Sequence, residues 1–330
     1  MSLSGGIDLG GTKIQTVVID DTHTVLGETR CATPTEGGPP DVAAAITAAM
    51  RNAAEGAGVT TSELTHVGVG SPGEIGSASG TVTSARNLPG WEGSYPLAAV
   101  LEDDLGARVA LGNDVQVATD AEAHLGAGRP YRSMLGVFWG TGVGGGIILN
   151  GTPWLGLGGA GEIGHIVVKL NGARCLCGRR GCMEAYAGRG ALERRARRRH
   201  AKGAETELLK IMKRRDRPRM TSSIWAKALK RDDRLACKLI AKAVEALGAG
   251  VASAVNVVDV EAVILGGGLG VRLGQPYADK IAKAMLPHLF NDHRPPPVLV
   301  AALGDLSGAI GASMLSPPAP PAAGWLFSAH

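Results

Sequence analysis

Apolar positions follow two rhythms along this chain. Gly6–Gly10 and Ile14–Ile19 read as two strands joined by a tight turn, and Thr24–Glu28 as a third. Residues 41–56, rich in Ala with Ile46 and Met50 at helical spacing, predict a helix. Leu64–Gly70 reads as a buried strand ended by the turn Ser71-Pro72-Gly73. Residues 97–105 read as a helix, and Arg108–Leu111 as a strand that passes into the helix Val115–His124. The second half repeats the opening: Met134–Trp139 and Gly144–Leu149 flank Gly140-Thr141-Gly142 as residues 7–19 flank Gly10-Gly11-Thr12. Helices over roughly 183–200, 204–214 and 233–256 follow, then the strand Val260–Leu265 ending in Gly266-Gly267-Gly268. A last strand, Val298–Ala301, a helix over 305–315 and a Pro-rich tail, Ser316–Pro321, complete the reading. Two similar strand-turn-strand halves predict a duplicated α/β architecture, two domains around a cleft.

Composition narrows the class. Glycine supplies 49 of 330 residues without any G-X-Y period, which points to tight turns and close backbone approach. Aromatic residues make up 4%, too few for a binder built on stacking platforms. Residues 133–161 carry no charge, but glycines, Asn150 and Pro153 interrupt them, so a buried strand-turn unit is expected and not a membrane span. With Asp8 inside the first ten residues no leader is expected, and the reading is cytoplasmic. Five cysteines do not suit a disulfide scaffold. Three of them fall within eight residues, which suggests a metal site, while Cys31 and Cys237 read as core thiols.

The net charge of +4 is unevenly spread: Arg189–Arg234 holds 17 Lys/Arg against six Asp/Glu, including the run Arg194-Arg195-Ala196-Arg197-Arg198-Arg199. Such a segment suits a polyanion or, more plainly, a solvated helical face. No nucleic-acid motif accompanies it, and nucleic acid is not expected as a partner.

Candidate chemistry sits in the turns. Asp8-Leu9-Gly10-Gly11-Thr12-Lys13 places an acid, two glycines, a hydroxyl and a lysine on one turn, where backbone N–H groups can approach phosphate oxygens and Asp8 can hold Mg²⁺ through water. Gly140-Thr141-Gly142-Val143-Gly144-Gly145-Gly146 repeats the recipe, and Gly266-Gly267-Gly268 offers a third point of close approach, suited to a nucleotide base or ribose.

Asp8–Lys13, Gly140–Gly146 and Gly266–Gly268 resemble the two phosphate motifs and the adenosine motif of the actin-like ATPase and sugar kinase fold. Glu162-Ile163-Gly164-His165, followed by Cys175-Leu176-Cys177-Gly178-Arg179-Arg180-Gly181-Cys182-Met183-Glu184, resembles the signature of the ROK family of repressors, open reading frames and kinases, from residue 6 to about 315. The resemblance implies an N-terminal domain of 1–112 plus about 306–330 and a larger domain of 113–305. It implies ATP held by Asp8, Gly10, Gly11, Thr12, Lys13, Gly140, Thr141, Gly142, Gly144 and Gly266–Gly268, with catalytic Mg²⁺. It points to Asp114 as the base that takes the proton of a sugar 6-hydroxyl, with Asn113 orienting a neighbouring hydroxyl; Asn-Asp ahead of a helix is also an ordinary N-cap. The pair is followed by Val115-Gln116 where the family usually has Ala-Asn. Gly73 and Asn87 are implied on the sugar side, and Trp91 reads as core or rim.

One histidine and three cysteines, His165, Cys175, Cys177 and Cys182, fit a tetrahedral structural Zn²⁺ that braces the loop displaying Glu162 and Glu184, carboxylates suited to sugar hydroxyls. His165 can coordinate through one ring nitrogen and face the sugar with the other. The expectation is an ATP-dependent hexose kinase, most like the family's glucokinases, acting as a homo-oligomer (dimer or tetramer). The sequence does not separate glucose from mannose, N-acetylglucosamine or N-acetylmannosamine. Two alternatives stand beside it: a sugar-sensing regulator, which in this family carries a helix-turn-helix for which the seven residues before Asp8 leave no room, and a kinase whose basic segment attracts polyphosphate as donor.

Overall fold

The computed structural model describes residues 2–85 and 87–317. The part of the Pro-rich tail from residue 318 lies outside the described residues. The chain forms two compact units, Met1–Ala118 with the segment from Gly308 onward, and Thr119–Ser307.

In the first unit β1 (Ser4–Leu9), β2 (Ile14–Ile19) and β3 (Val25–Cys31) form an antiparallel meander, and β4 (His66–Ser71) and β8 (Val109–Asn113) add parallel strands beyond β1. The sheet order is β3-β2-β1-β4-β8. Helices α1 (Pro39–Gly56) and α2 (Leu97–Leu105) pack their apolar stripes on one face, around Ile7, Leu9, Ile46, Met50, Val67, Val69 and Leu101. Between β4 and α2 the chain makes a small sheet of β5 (Glu74–Gly76), β6 (Thr81–Thr83) and β7 (Ser94–Tyr95), absent from the sequence reading. Trp91 is core there, 1% exposed, its indole N–H donating to the Val82 carbonyl.

The second unit repeats the plan. β9 (Met134–Trp139), β10 (Val143–Leu149) and β11 (Thr152–Pro153) are antiparallel neighbours, and β12 (Ala262–Gly266) and β13 (Val298–Val300) run parallel beyond β9, in the order β11-β10-β9-β12-β13. Asp8 pairs with Gly70 in one sheet and Phe138 with Gly266 in the other, so Asp8 and Phe138 occupy corresponding positions. The helical layer holds α4 (Glu184–Ala187), α5 (Arg189–His200), α6 (Glu207–Arg214), α7 (Ser222–Leu229), the long α8 (Arg234–Val258), α9 (Gly267–Leu273) and α10 (Gln275–Met285). The run expected as one helix over 183–200 is split at Gly188, whose extended ψ of 132° ends α4 and starts α5. Cys237, expected as a core thiol, is exposed on α8.

Two helices connect the units along the chain: α3 (Asp114–His124) and α11 (Ser307–Ser313). A Cβ on Gly6 would overlap the Ala309 carbonyl oxygen, and one on Gly68 the Ala312 carbonyl oxygen, so α11 lies directly on adjacent strands of the first sheet. A Cβ on Gly70 or on Gly112 would come within 2.8 Å of Val117, so the first turns of α3 lie on that sheet too. The expected domain boundary at 112/113 therefore moves into α3: its start is held by β4 and β8, and Asn113 and Asp114 go with the first unit. Among the described residues no helix is long and apolar enough to cross a membrane.

Gly68→Ala forces a methyl group into the α11 backbone. It is expected to lower unfolding free energy by roughly 1–3 kcal/mol, read by urea denaturation.

Candidate active site

The carboxyl ends of the parallel strands β1, β4 and β8 lie at one edge of the first sheet, the place where open α/β sheets take ligands. Asp8, near the end of β1, has Lys13 Nζ 3.5 Å from its Oδ2, and Gly308 packs on its carboxyl group. The turn between β1 and β2 is closed by Gly10 N–H donating to the Lys13 carbonyl at 2.9 Å. Thr33 braces it from below, its hydroxyl donating to the Gly10 carbonyl at 2.6 Å. Thr12 is exposed at the tip. A Cβ on Gly11 would lie 2.7 Å from the Asn87 carbonyl oxygen, so Asn87 rests against the turn. The structure thus brings the expected phosphate turn and an expected sugar-side residue together.

Two strands along, Asn113 ends β8 beside Ser71 of β4. Its Oδ1 accepts from the backbone N–H of Val115 and of Gln116, both at 3.1 Å, and Asp114 Oδ1 accepts from Val115 N–H at 2.9 Å. Asn113 is the N-cap of α3, and Asp114, half-buried, stands in the first helical turn where the backbone dipoles favour an anion. Gly73, exposed with φ +95°, has no room for a side chain: a Cβ would sit 2.7 Å from the Thr83 carbonyl oxygen.

In the second unit the β9–β10 turn is closed by Gly140 N–H donating to the Gly142 carbonyl at 3.0 Å. Its other carbonyls face the start of α5: Arg189 N–H donates to Gly140 and Gly190 N–H to Thr141, each at 3.0 Å. Val143 N–H donates to Glu184 Oε2 at 3.0 Å. Gly268 lies next to this turn, its N 4.0 Å from where a Gly140 side chain would begin. Gly144 lies in β10 opposite Phe138, outside the turn. Gly145 and Gly164 serve packing, since a Cβ on the first would meet Ile163 and one on the second the Val143 carbonyl oxygen. Much of the glycine run therefore lets the Glu162–His165 segment lie on β10.

That segment leads into the cysteine loop. His165 Nδ1 is 3.9 Å from Cys175 Sγ, Cys177 Sγ is 3.7 Å from Cys182 Sγ, and all four ligand atoms lie within 4.8 Å of one another. Tetrahedral zinc with Zn–S near 2.3 Å needs sulfurs about 3.8 Å apart, so the donor set and its spacing fit that ion. The other ring nitrogen of His165 lies 3.8 Å from Glu162 Oε2, on an exposed carboxylate. Burial pushes the Cys175 thiol up to about 12 and raises Cys182 as well. In Cys177 burial is outweighed by the Arg179 backbone N–H and the neighbouring thiols, and its pKa falls. Gly181, at φ +87°, lets the loop pass under the Lys169 carbonyl, where any side chain would collide. Glu184 follows directly and ties loop to turn: Oε1 lies 3.7 Å from Cys175 Sγ while Oε2 holds Val143.

Two features escaped the sequence reading. Arg189, filed there with the basic segment, donates from Nη2 to Thr141 Oγ1 at 2.7 Å. Five of that segment's cations are gathered on two acids: Arg197 and Arg219 meet the buried Glu193, and Lys210, Arg214 and Arg231 meet Glu207. For two of these pairs a local signal exists, Glu193 four residues before Arg197 and Glu207 three before Lys210; the others join distant positions.

Glu184→Ala removes the acceptor of Val143 N–H. Amide hydrogen exchange at Val143 is expected to speed up by on the order of tenfold or more, read by exchange mass spectrometry or NMR.

The ROK family model matches residues 4–318. The chain is 31% identical over 314 residues to the glucokinase of Thermotoga maritima, covering 94% of this chain and 96% of that one. It is 32% identical over 323 residues to the N-acetylgalactosamine kinase AgaK of Shewanella sp., covering 94% and 95%. The crystal structure of a ROK family glucokinase from Streptomyces griseus in complex with glucose and AMPPNP superposes with a TM-score of 0.81 at 32% identity, covering 94% of this chain and 98% of that one. This chain is a member of the ROK family and has its actin-like sugar kinase fold.

Proposed function

We propose that this protein transfers the γ-phosphoryl group of Mg-ATP to the 6-hydroxyl of a hexose, and that the hexose is glucose. The observation that carries the reading is the placement of Asp8, near the end of β1, and Asp114, directly after β8, at one edge of one sheet where only β4 separates the two strands, each beside a backbone turn or helix start that offers N–H groups. Phosphoryl transfer is mostly positioning and charge neutralisation, with an acceptor for the hydroxyl proton. Asp114 is that acceptor. Asn113, its amide oxygen committed to the helix cap, offers amide N–H groups to a neighbouring sugar oxygen. Asp8 is the residue that would hold Mg²⁺, through water, and the bound ion would supply charge neutralisation to the phosphate chain. Gly10–Lys13 and Gly140–Gly142 hold the phosphate chain, Gly266–Gly268 the adenosine, and Gly73, Asn87, Glu162, His165 and Glu184 the sugar.

The glucokinase relative and the glucose complex of the Streptomyces griseus enzyme support glucose. The similarly related N-acetylgalactosamine kinase gives the second reading, an N-acetylhexosamine acceptor. ADP release measured with a panel of glucose, mannose, N-acetylglucosamine, N-acetylmannosamine and N-acetylgalactosamine separates them. The AMPPNP bound in the Streptomyces griseus complex supports ATP as donor. Exposed Trp154, Leu155 and Leu157 supply apolar surface for the homo-oligomer we also assign.

We assign His165, Cys175, Cys177 and Cys182 to a structural Zn²⁺, since four protein ligands leave no position for a catalytic water.

Asp114→Ala is expected to lower kcat by roughly a hundredfold to ten-thousandfold while glucose binding stays measurable by calorimetry; turnover near wild type overturns the assignment of the base. Cys177→Ser is expected to abolish bound zinc and lower the thermal midpoint together, read by metal analysis and differential scanning calorimetry. Full stability in a zinc-free variant contradicts the metal's structural role.

A further inference from the structure

The β9–β10 turn is held from behind by one arginine. Arg189 stands at the first position of α5, and three of its groups reach the turn or its support. Its backbone N–H donates to the Gly140 carbonyl at 3.0 Å, Nη2 to Thr141 Oγ1 at 2.7 Å, and Nη1 to the Met220 carbonyl at 2.8 Å. Met220 is itself fixed, its N–H donating to the buried Glu193 at 3.0 Å. A guanidinium only donates, so Thr141 Oγ1 is the acceptor in this bond and its own O–H must point elsewhere. Thr141 is exposed, and no other described residue takes that proton. The turn's Gly140, Thr141 and Gly142 carbonyls are committed inward, which turns its remaining polarity outward as donors. Behind them lies a cation short of acceptors: Arg189 Nε is buried with no hydrogen-bond partner among the described residues, and Glu193 is already engaged by Arg197, Arg219 and Met220.

We infer that Arg189 is a positioning residue for the phosphoryl donor: it fixes the Thr141 hydroxyl as an outward hydrogen-bond donor and sets positive charge behind the turn, so that the site selects a phosphate chain. This rests on the reading that the turn holds nucleotide phosphates. Arg189 itself bonds Gly140, Thr141 and Met220 and no group assigned to the sugar; Glu184 meets the turn separately, at Val143, so the effect of Arg189 falls on nucleotide affinity.

The test measures ADP and glucose binding separately by calorimetric titration of the full chain, with steady-state KM for ATP and for glucose, in wild type, Arg189→Met, Arg189→Lys, Thr141→Val and the double variant Arg189→Met/Thr141→Val. Arg189→Met is expected to weaken ADP binding and raise the ATP KM by roughly tenfold or more, with glucose affinity unchanged. Arg189→Lys recovers part of the loss. The double variant loses less than the product of the two single losses, because both act through one hydroxyl. Equal losses for ADP and glucose, multiplicative losses, or no loss overturn the inference. If Arg189→Met does not fold, Arg189→Lys and Thr141→Val with their double variant carry the same comparison. A wild-type chain that binds ADP but phosphorylates no hexose refutes the kinase reading and leaves the effect on ADP to decide the inference. A wild-type chain that binds no nucleotide refutes both.

Discussion

The structure depends on places where backbone lies on backbone. α11 rests on Gly6 and Gly68, and the start of α3 on Gly70 and Gly112, at distances no side chain allows. These contacts fix where each helix begins relative to the strand ends. Gly308, at the start of α11, packs on Asp8, and Asp114 begins the helix whose Val117 covers Gly70 and Gly112. The two acids proposed to carry the chemistry are thus set by the same layer of glycines that holds the sheet to its helices. A larger side chain in that layer would displace a helix, and with it a carboxylate.

The duplicated plan has been divided by chemistry. Both units use a hairpin of two strands with parallel strands beyond it, and both close the hairpin with a glycine turn. Yet the position of Asp8 in the first is Phe138 in the second, whose ring packs on Gly266. The acidic edge exists once. In the second unit Glu184 ties the turn to the thiol loop instead.

What the sequence made legible follows from how local each signal is. The turns Gly10–Lys13 and Gly140–Gly142, the cysteine spacing and the Asn113-Asp114 cap are written in consecutive residues, and each sits where its pattern indicated. The bond from Arg189 to Thr141 spans 48 positions and that from Glu184 to Val143 spans 41, so no window of sequence contains either. Gly144 reads as a phosphate ligand because a glycine-rich turn and a glycine-rich strand look alike until its pairing with Phe138 places it inside β10 and the next glycine, Gly145, is seen packed by Ile163. α10 went unread although Ala278, Ile281 and Met285 keep a helical stripe, since Pro276 and the short polar stretches around it obscured the start.

The first unit is assembled from both ends of the chain, and this shapes its biogenesis. Its strands leave the ribosome early, but the helix that covers Gly6 and Gly68 is made only after the second unit, about 190 residues later. At about 5–20 residues per second, one face of the nascent sheet stays bare for roughly 10–40 s. During that interval the apolar β1–β4 surface is open to chaperones and to other nascent chains. The glycines that make the finished contact so close also leave little side-chain bulk there to attract them.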